Sequence, residues 1–178
     1  MHSLYFVIFD KASADSSKEA RDHAESTLQT ENFVGREGYF GGGKGDWFVV
    51  GGRWSGHLQS ILLKKDFYKE AEKLINESKP KDKQGNFIST EDTKNNAEAL
   101  QKLWVSIGGK NDNLYARDNY HANYDDDAMI ITDKLINALK KTNKSVEIFD
   151  ADEYNEKTVA DLDKDDIGKW IVVIDYHM

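Results

Sequence analysis

Two short runs in this chain, "LYFVIFD" at residues 4–10 and "KWIVVIDYH" at 169–177, are apolar with almost no alternation. A strand with one face in water alternates polar and apolar side chains, because successive Cβ atoms point to opposite faces. An unbroken apolar run is instead a strand covered on both faces. Neither run approaches the roughly 20 apolar residues that a membrane-spanning helix needs. The first and last strands are therefore expected at the centre of a sheet, with other elements laid over them.

The segments between them alternate in character. Ser16 and Glu19 form a capping-box signal for a helix with Ala20, His23, Ala24 and Leu28 along one face. The run "DWFVV" (46–50) reads as a strand, and Gly51-Gly52 suits a two-residue hairpin turn because both glycines accept positive φ. "RWSGHLQSILL" would then return as a third strand. A helix capped by Asp66 follows, with Phe67, Ala71, Leu74 and Ile75 inward and Pro80 just past its end. A second helix spans roughly 90–107, stopped by Gly108-Gly109. "AMIIT" reads as strand, "DKLINALKK" as helix with Thr132 as cap, and "SVEIF" as a short strand, before an acidic loop (150–166) leads into the last strand. The order predicts one α+β domain over residues 1–178, a mixed or antiparallel sheet with helices mainly on one face. A ferredoxin-like arrangement with an inserted helical pair fits that pattern, and other α+β topologies fit nearly as well.

Composition narrows the function. The chain has no cysteine, which excludes disulfides, thiolate nucleophiles and zinc–thiolate sites and is in keeping with a cytoplasmic protein. No basic n-region opens the chain, so a secretory signal is not expected. Of the net charge of −8, residues 1–120 hold 18 acids against 17 bases (−1) and residues 121–178 hold 14 against 7 (−7). No basic stripe is available to displace counterions from a nucleic acid, so such a partner is disfavoured. The acidic end suits solvated surface, or a face that meets a basic protein.

Several segments approach known chemistry and stop short. "GYFGGGKG" (38–45) nearly spells a phosphate-binding loop, but Gly45 replaces the magnesium-holding Ser or Thr, and a strand follows where a helix is required. "DLDKDDIG" (161–168) has the first acids of a calcium loop without its turn glycine or its terminal Glu. In "GGRWSGHL" Arg53, a fixed cation, is a candidate clamp for carboxylate or phosphate, Trp54 a stacking face, and His57 a candidate acid or base. The polar, tyrosine-rich stretch 111–127 offers Tyr115, Tyr120 and His121 as ligand-binding candidates. On the last strand Asp175 and His177 point to one side, a weak candidate metal pair.

The strand running into "GGRWSG", with the terminal "VVIDYH", resembles a set of uncharacterised bacterial and phage proteins. The likeness covers 47–56 and 172–177. That set carries no activity to transfer, so the resemblance only marks Gly51, Gly52, Arg53, Trp54, Asp175 and His177. The expectation is a small binding or regulatory protein, of phage or mobile-element origin, with a protein partner or a small anionic ligand. The alternative is a hydrolase or phosphotransferase acting on a small anionic substrate, with Arg53 as clamp and His57 as acid/base. The identity of any cofactor and the oligomeric state are left open.

Overall fold

Trp170–His177, the last strand, is the one against which the rest of the sheet is laid. The computed structural model describes residues 1–62, 84 and 127–178. Its strands are β1 (His2–Phe9), β2 (Trp47–Val50), β3 (Ala128–Ile130), β4 (Glu147–Asp150), β5 (Asn155–Thr158) and β6 (Trp170–His177). They form one sheet in the order β2-β6-β1-β4-β5, with β3 also pairing β6. β1 runs antiparallel to β6 along its whole length, from His2 opposite His177 to Phe9 opposite Trp170. On its other side β1 runs parallel to β4. β2 and β3 share the far edge of β6, β2 opposite residues 174–177 and β3 opposite 170–172.

The unalternating apolar pattern has the predicted cause: both faces are covered. Tyr5, Val7 and Phe9 of β1 join Val172, Ile174 and Tyr176 of β6 in one core, with Ala20, Ala24 and Leu28 of helix α1 (Ser17–Thr30). Phe6 and Ile8 join Ile171 and Val173 in a second core, under Leu58 of α2 (His57–Leu62) and Leu135, Ile136 and Leu139 of α3 (Asp133–Thr142). Each of these side chains is almost wholly withdrawn from water, and full burial of one Leu, Ile, Val or Phe stabilises by about 1.5–3 kcal/mol.

The α+β sheet is as expected, but its helices are shared between the faces, α1 on one and α2 with α3 on the other. A ferredoxin-like sheet places an antiparallel strand between the parallel strands of its split β-α-β unit. The β1-α1-β2 unit is set out this way, with β6 between β1 and β2 and antiparallel to both, while β4 adds a direct parallel neighbour on the other side of β1. The expected helix capped by Asp66 and the one at 90–107 lie outside the described residues.

The caps follow their sequence signals. Ser16 accepts from Glu19 N–H, and Thr132 accepts from Leu135 N–H. The Glu19 carboxylate reaches Asp15 N–H, one residue before the expected partner.

The hairpin expected at Gly51-Gly52 is absent. Both glycines do take positive φ, 76° and 53°, but the chain then enters a 3-10 turn (Gly52–Trp54) and helix α2. The spacing of Trp54, Leu58, Ile61 and Leu62 is helical, and all four pack on the second core. The strand-like composition of "RWSGHLQSILL" conceals a period of 3.6.

The acidic loop is also more structured than expected. It contains β5 and two 3-10 turns, Val159–Asp161 and Lys164–Asp166. Two of its acids are buried, Asp150 and Asp166. Lys169 Nζ bonds both, at 2.9 and 3.1 Å, and Lys157 Nζ lies 3.3 and 2.8 Å from the same pair. Buried carboxylates need such partners, since an unpaired charge away from water is far costlier than a paired one. Asp163 and Asp161 are engaged as turn caps, bonding Asp165 N–H and Thr158 N–H respectively.

Candidate functional site

The candidate residues that meet do so at the end of β6. Asp175 lies opposite Leu4 of β1 and Val49 of β2, on the face shared with Val173 and His177. It is only 2% exposed. One carboxylate oxygen accepts from Arg53 N–H at 2.8 Å, and the other lies 2.9 Å from Nδ1 of His2. A carboxylate oxygen that accepts here makes Nδ1 of His2 the donor of this pair. Gly52 makes this packing possible, because a Cβ there would stand 2.7 Å from the Asp175 side chain.

Around His2 the rings gather. Its centroid is 5.3 Å from that of Trp47 and 5.4 Å from that of His177, both edge-on. Trp47 and His177, paired across β2 and β6, stack with planes 2° apart. Trp47 is 42% exposed, so part of this aromatic surface is open. Asp46 stands 3.4 Å from Nδ1 of His177. Asp175 is thus the buried centre of the group; it positions the Arg53 backbone and the His2 ring, while the Arg53 side chain is exposed.

His57 does not join this group. It lies on α2, its ring 5.6 Å from that of Trp54. Burial lowers its pKa to about 4, against a hydrogen bond to Asn143 that favours the charged form. A histidine neutral down to that pH is poorly matched to proton transfer near neutrality. Trp54 packs on the second core. Tyr115, Tyr120 and His121 lie outside the described residues. Lys44, the cation of the near-phosphate loop, is held by Glu147 and Glu156 at 2.9 and 2.7 Å. Among the described residues, no three His, Asp or Glu side chains are arranged to hold a metal ion.

Beneath Gly51 lies a second polar cluster. Asp127, immediately before β3, is fully buried. It accepts from Ser55 Oγ at 3.2 Å and from Gly56 N–H, and lies 3.6 Å from Nε of Arg21. Burial raises its pKa to about 6, against the charge of Arg21 and these hydrogen bonds. A Cβ on Gly51 would collide with the Asp127 carboxylate and stand 2.5 Å from Ser55 Oγ. The glycine crowding at 51 and 52 therefore marks close approach by two buried carboxylates.

Sequence reasoning missed His2, Arg21, Ser55 and Asp127. For His2 a signal existed: a histidine at each end of the chain, each closing an apolar strand on the same alternation phase. No such signal was available for the other three. Compared with protein families, curated proteins and solved structures, the chain matches none. No described helix is long and apolar enough to cross a membrane.

Proposed function

We propose that the protein is a small binding or regulatory protein whose site is the rim formed by His2, Trp47, Arg53 and His177 around Asp175. Its ligand is a small anion with a planar part. One observation carries the reading: a buried carboxylate fixes the backbone of Arg53 and the imidazole of His2 beside an aromatic surface that is partly open, and the Arg53 side chain is exposed. A guanidinium recognises carboxylate or phosphate, and a half-exposed indole offers a flat apolar contact. The lack of cysteine supports a cytoplasmic setting.

The test is a thermal-shift and calorimetric comparison of inorganic phosphate, citrate and adenosine monophosphate. Wild-type protein is expected to bind the nucleotide best, with binding lost in Arg53→Ala and weakened in Trp47→Ala, at unchanged melting temperature of the free protein. No binding of any probe, or binding that survives Arg53→Ala, refutes the reading.

The bond from His2 to Asp175 favours a second reading, acid–base chemistry on a phosphate ester with His2 in the role expected of His57. It requires turnover of p-nitrophenyl phosphate that disappears in His2→Gln.

A further inference from the structure

At the opposite edge of the sheet from β2, two tyrosines stand in water. Tyr39 is 37% exposed and Tyr154 51%. Their ring centroids are 4.8 Å apart, one ring edge-on to the other. Both rest on Phe149 of β4, at 5.1 and 5.9 Å, and Phe149 itself is wholly buried. The pair is therefore seated on the core and held in place.

Two further features hold Tyr154 there. Its hydroxyl donates to the Glu31 carboxylate just past the end of α1. Its backbone has φ of 55°, a left-handed conformation that a bulky residue adopts only where the surroundings impose it. Tyr154 closes the turn between β4 and β5, and among the described residues β5 pairs with β4 alone.

Exposed carboxylates outnumber exposed cations around the pair. Residues 147–156 hold five carboxylates and no lysine or arginine; of the five, Asp150 is buried against Lys157 and Lys169, and Glu153 lies 4.0 Å from Lys169. Asp152 and Glu153 are exposed beside Tyr154. On the facing loop, Lys44 is already paired with Glu147 and Glu156, leaving Arg36 as the exposed cation of that segment.

We propose that this face docks a basic segment of another protein. An arginine of that segment lies over the tyrosine rings, with its charge met by Glu31, Asp152 and Glu153. Cations are attracted to aromatic faces, arginine more often than lysine, and partner choice follows complementary charge. The site is separate from the rim at β2 and stands whether or not that rim binds an anion.

The experiment is fluorescence anisotropy with labelled nona-arginine and nona-lysine as probes, at low and high salt. The arginine peptide is expected to bind more tightly than the lysine peptide, and Tyr39→Ala to weaken it about tenfold. Tyr154→Gly should weaken it similarly while relieving the left-handed backbone, so that its melting temperature shows the fold intact. Arg53→Ala should leave this binding unchanged. Equal binding of the two peptides, or binding indifferent to both tyrosine variants, reduces the face to general attraction by acidic surface and overturns the proposal. Concentration-dependent dimerisation that Tyr154→Gly abolishes overturns it too, by assigning the face to a second copy of the chain.

Discussion

Asp127 and His57 should hide each other's pH dependence, and replacing either should reveal the other. Burial raises Asp127 from 3.8 to about 6 and lowers His57 from 6.5 to about 4. Between those values folded Asp127 is protonated while its unfolded counterpart is not. The stability it contributes is complete below pH 3.8 and is lost as pH rises through about 6. His57 behaves oppositely: unfolded it takes a proton below pH 6.5 and folded only below about 4, so its contribution is lost as pH falls through that window. At 1.36 kcal/mol per pKa unit, each effect amounts to about 3 kcal/mol, and the two have opposite sign.

Urea unfolding of the wild type from about pH 4 to pH 6 should therefore show little net slope from these two groups. Asp127→Asn leaves His57 uncompensated and should lose about 3 kcal/mol on acidification across that range. His57→Gln should gain a similar amount, and the double variant should be flat again. Since each readout is a slope, a constant packing penalty does not obscure it. A steep wild-type slope in this window, unchanged by either substitution, would refute the reasoning.

Gly51→Ala should cost about 2 kcal/mol or more, because φ is positive and the new Cβ meets Asp127 and Ser55. Gly42→Ala, at φ 97° with nothing within 4 Å, should cost only the backbone term of about 1 kcal/mol; equal losses in chemical denaturation would contradict close approach at Gly51. Lys169→Met should destabilise by about 2–3 kcal/mol, less than a fully severed buried pair because Lys157 still serves Asp150 and Asp166. Their carboxyls are held below the usual range by the two lysines against the opposing effect of burial, so this cost should shrink as pH falls below 3.8. A cost independent of pH would place the effect in lost packing.

Local physics decided much of the scaffold. An apolar run without alternation is stable only when both its faces are covered, and 4–10 and 169–177 accordingly became β1 and β6 at the centre of the sheet. Ser16 and Thr132 capped their helices because a side-chain oxygen can satisfy a helix's first N–H groups using neighbours alone. The positive φ at Gly51 and Gly52 was legible for the same reason, as only glycine takes it freely.

What that φ served was decided by tertiary structure. A glycine pair satisfies a hairpin and a turn into a helix equally well, and the choice fell to packing of Trp54 and Leu58 on the second core. The candidate site depended still more on tertiary contacts. Asp175 meets His2 and Arg53 across 173 and 122 positions of chain, and Asp127 meets Ser55 across 72. Interactions at such separations leave no local period, because they exist only once the sheet has brought its strands into register. The burial that moves Asp127 and His57 in opposite directions is likewise a property of the assembled core, created when the helices close over both faces of β6.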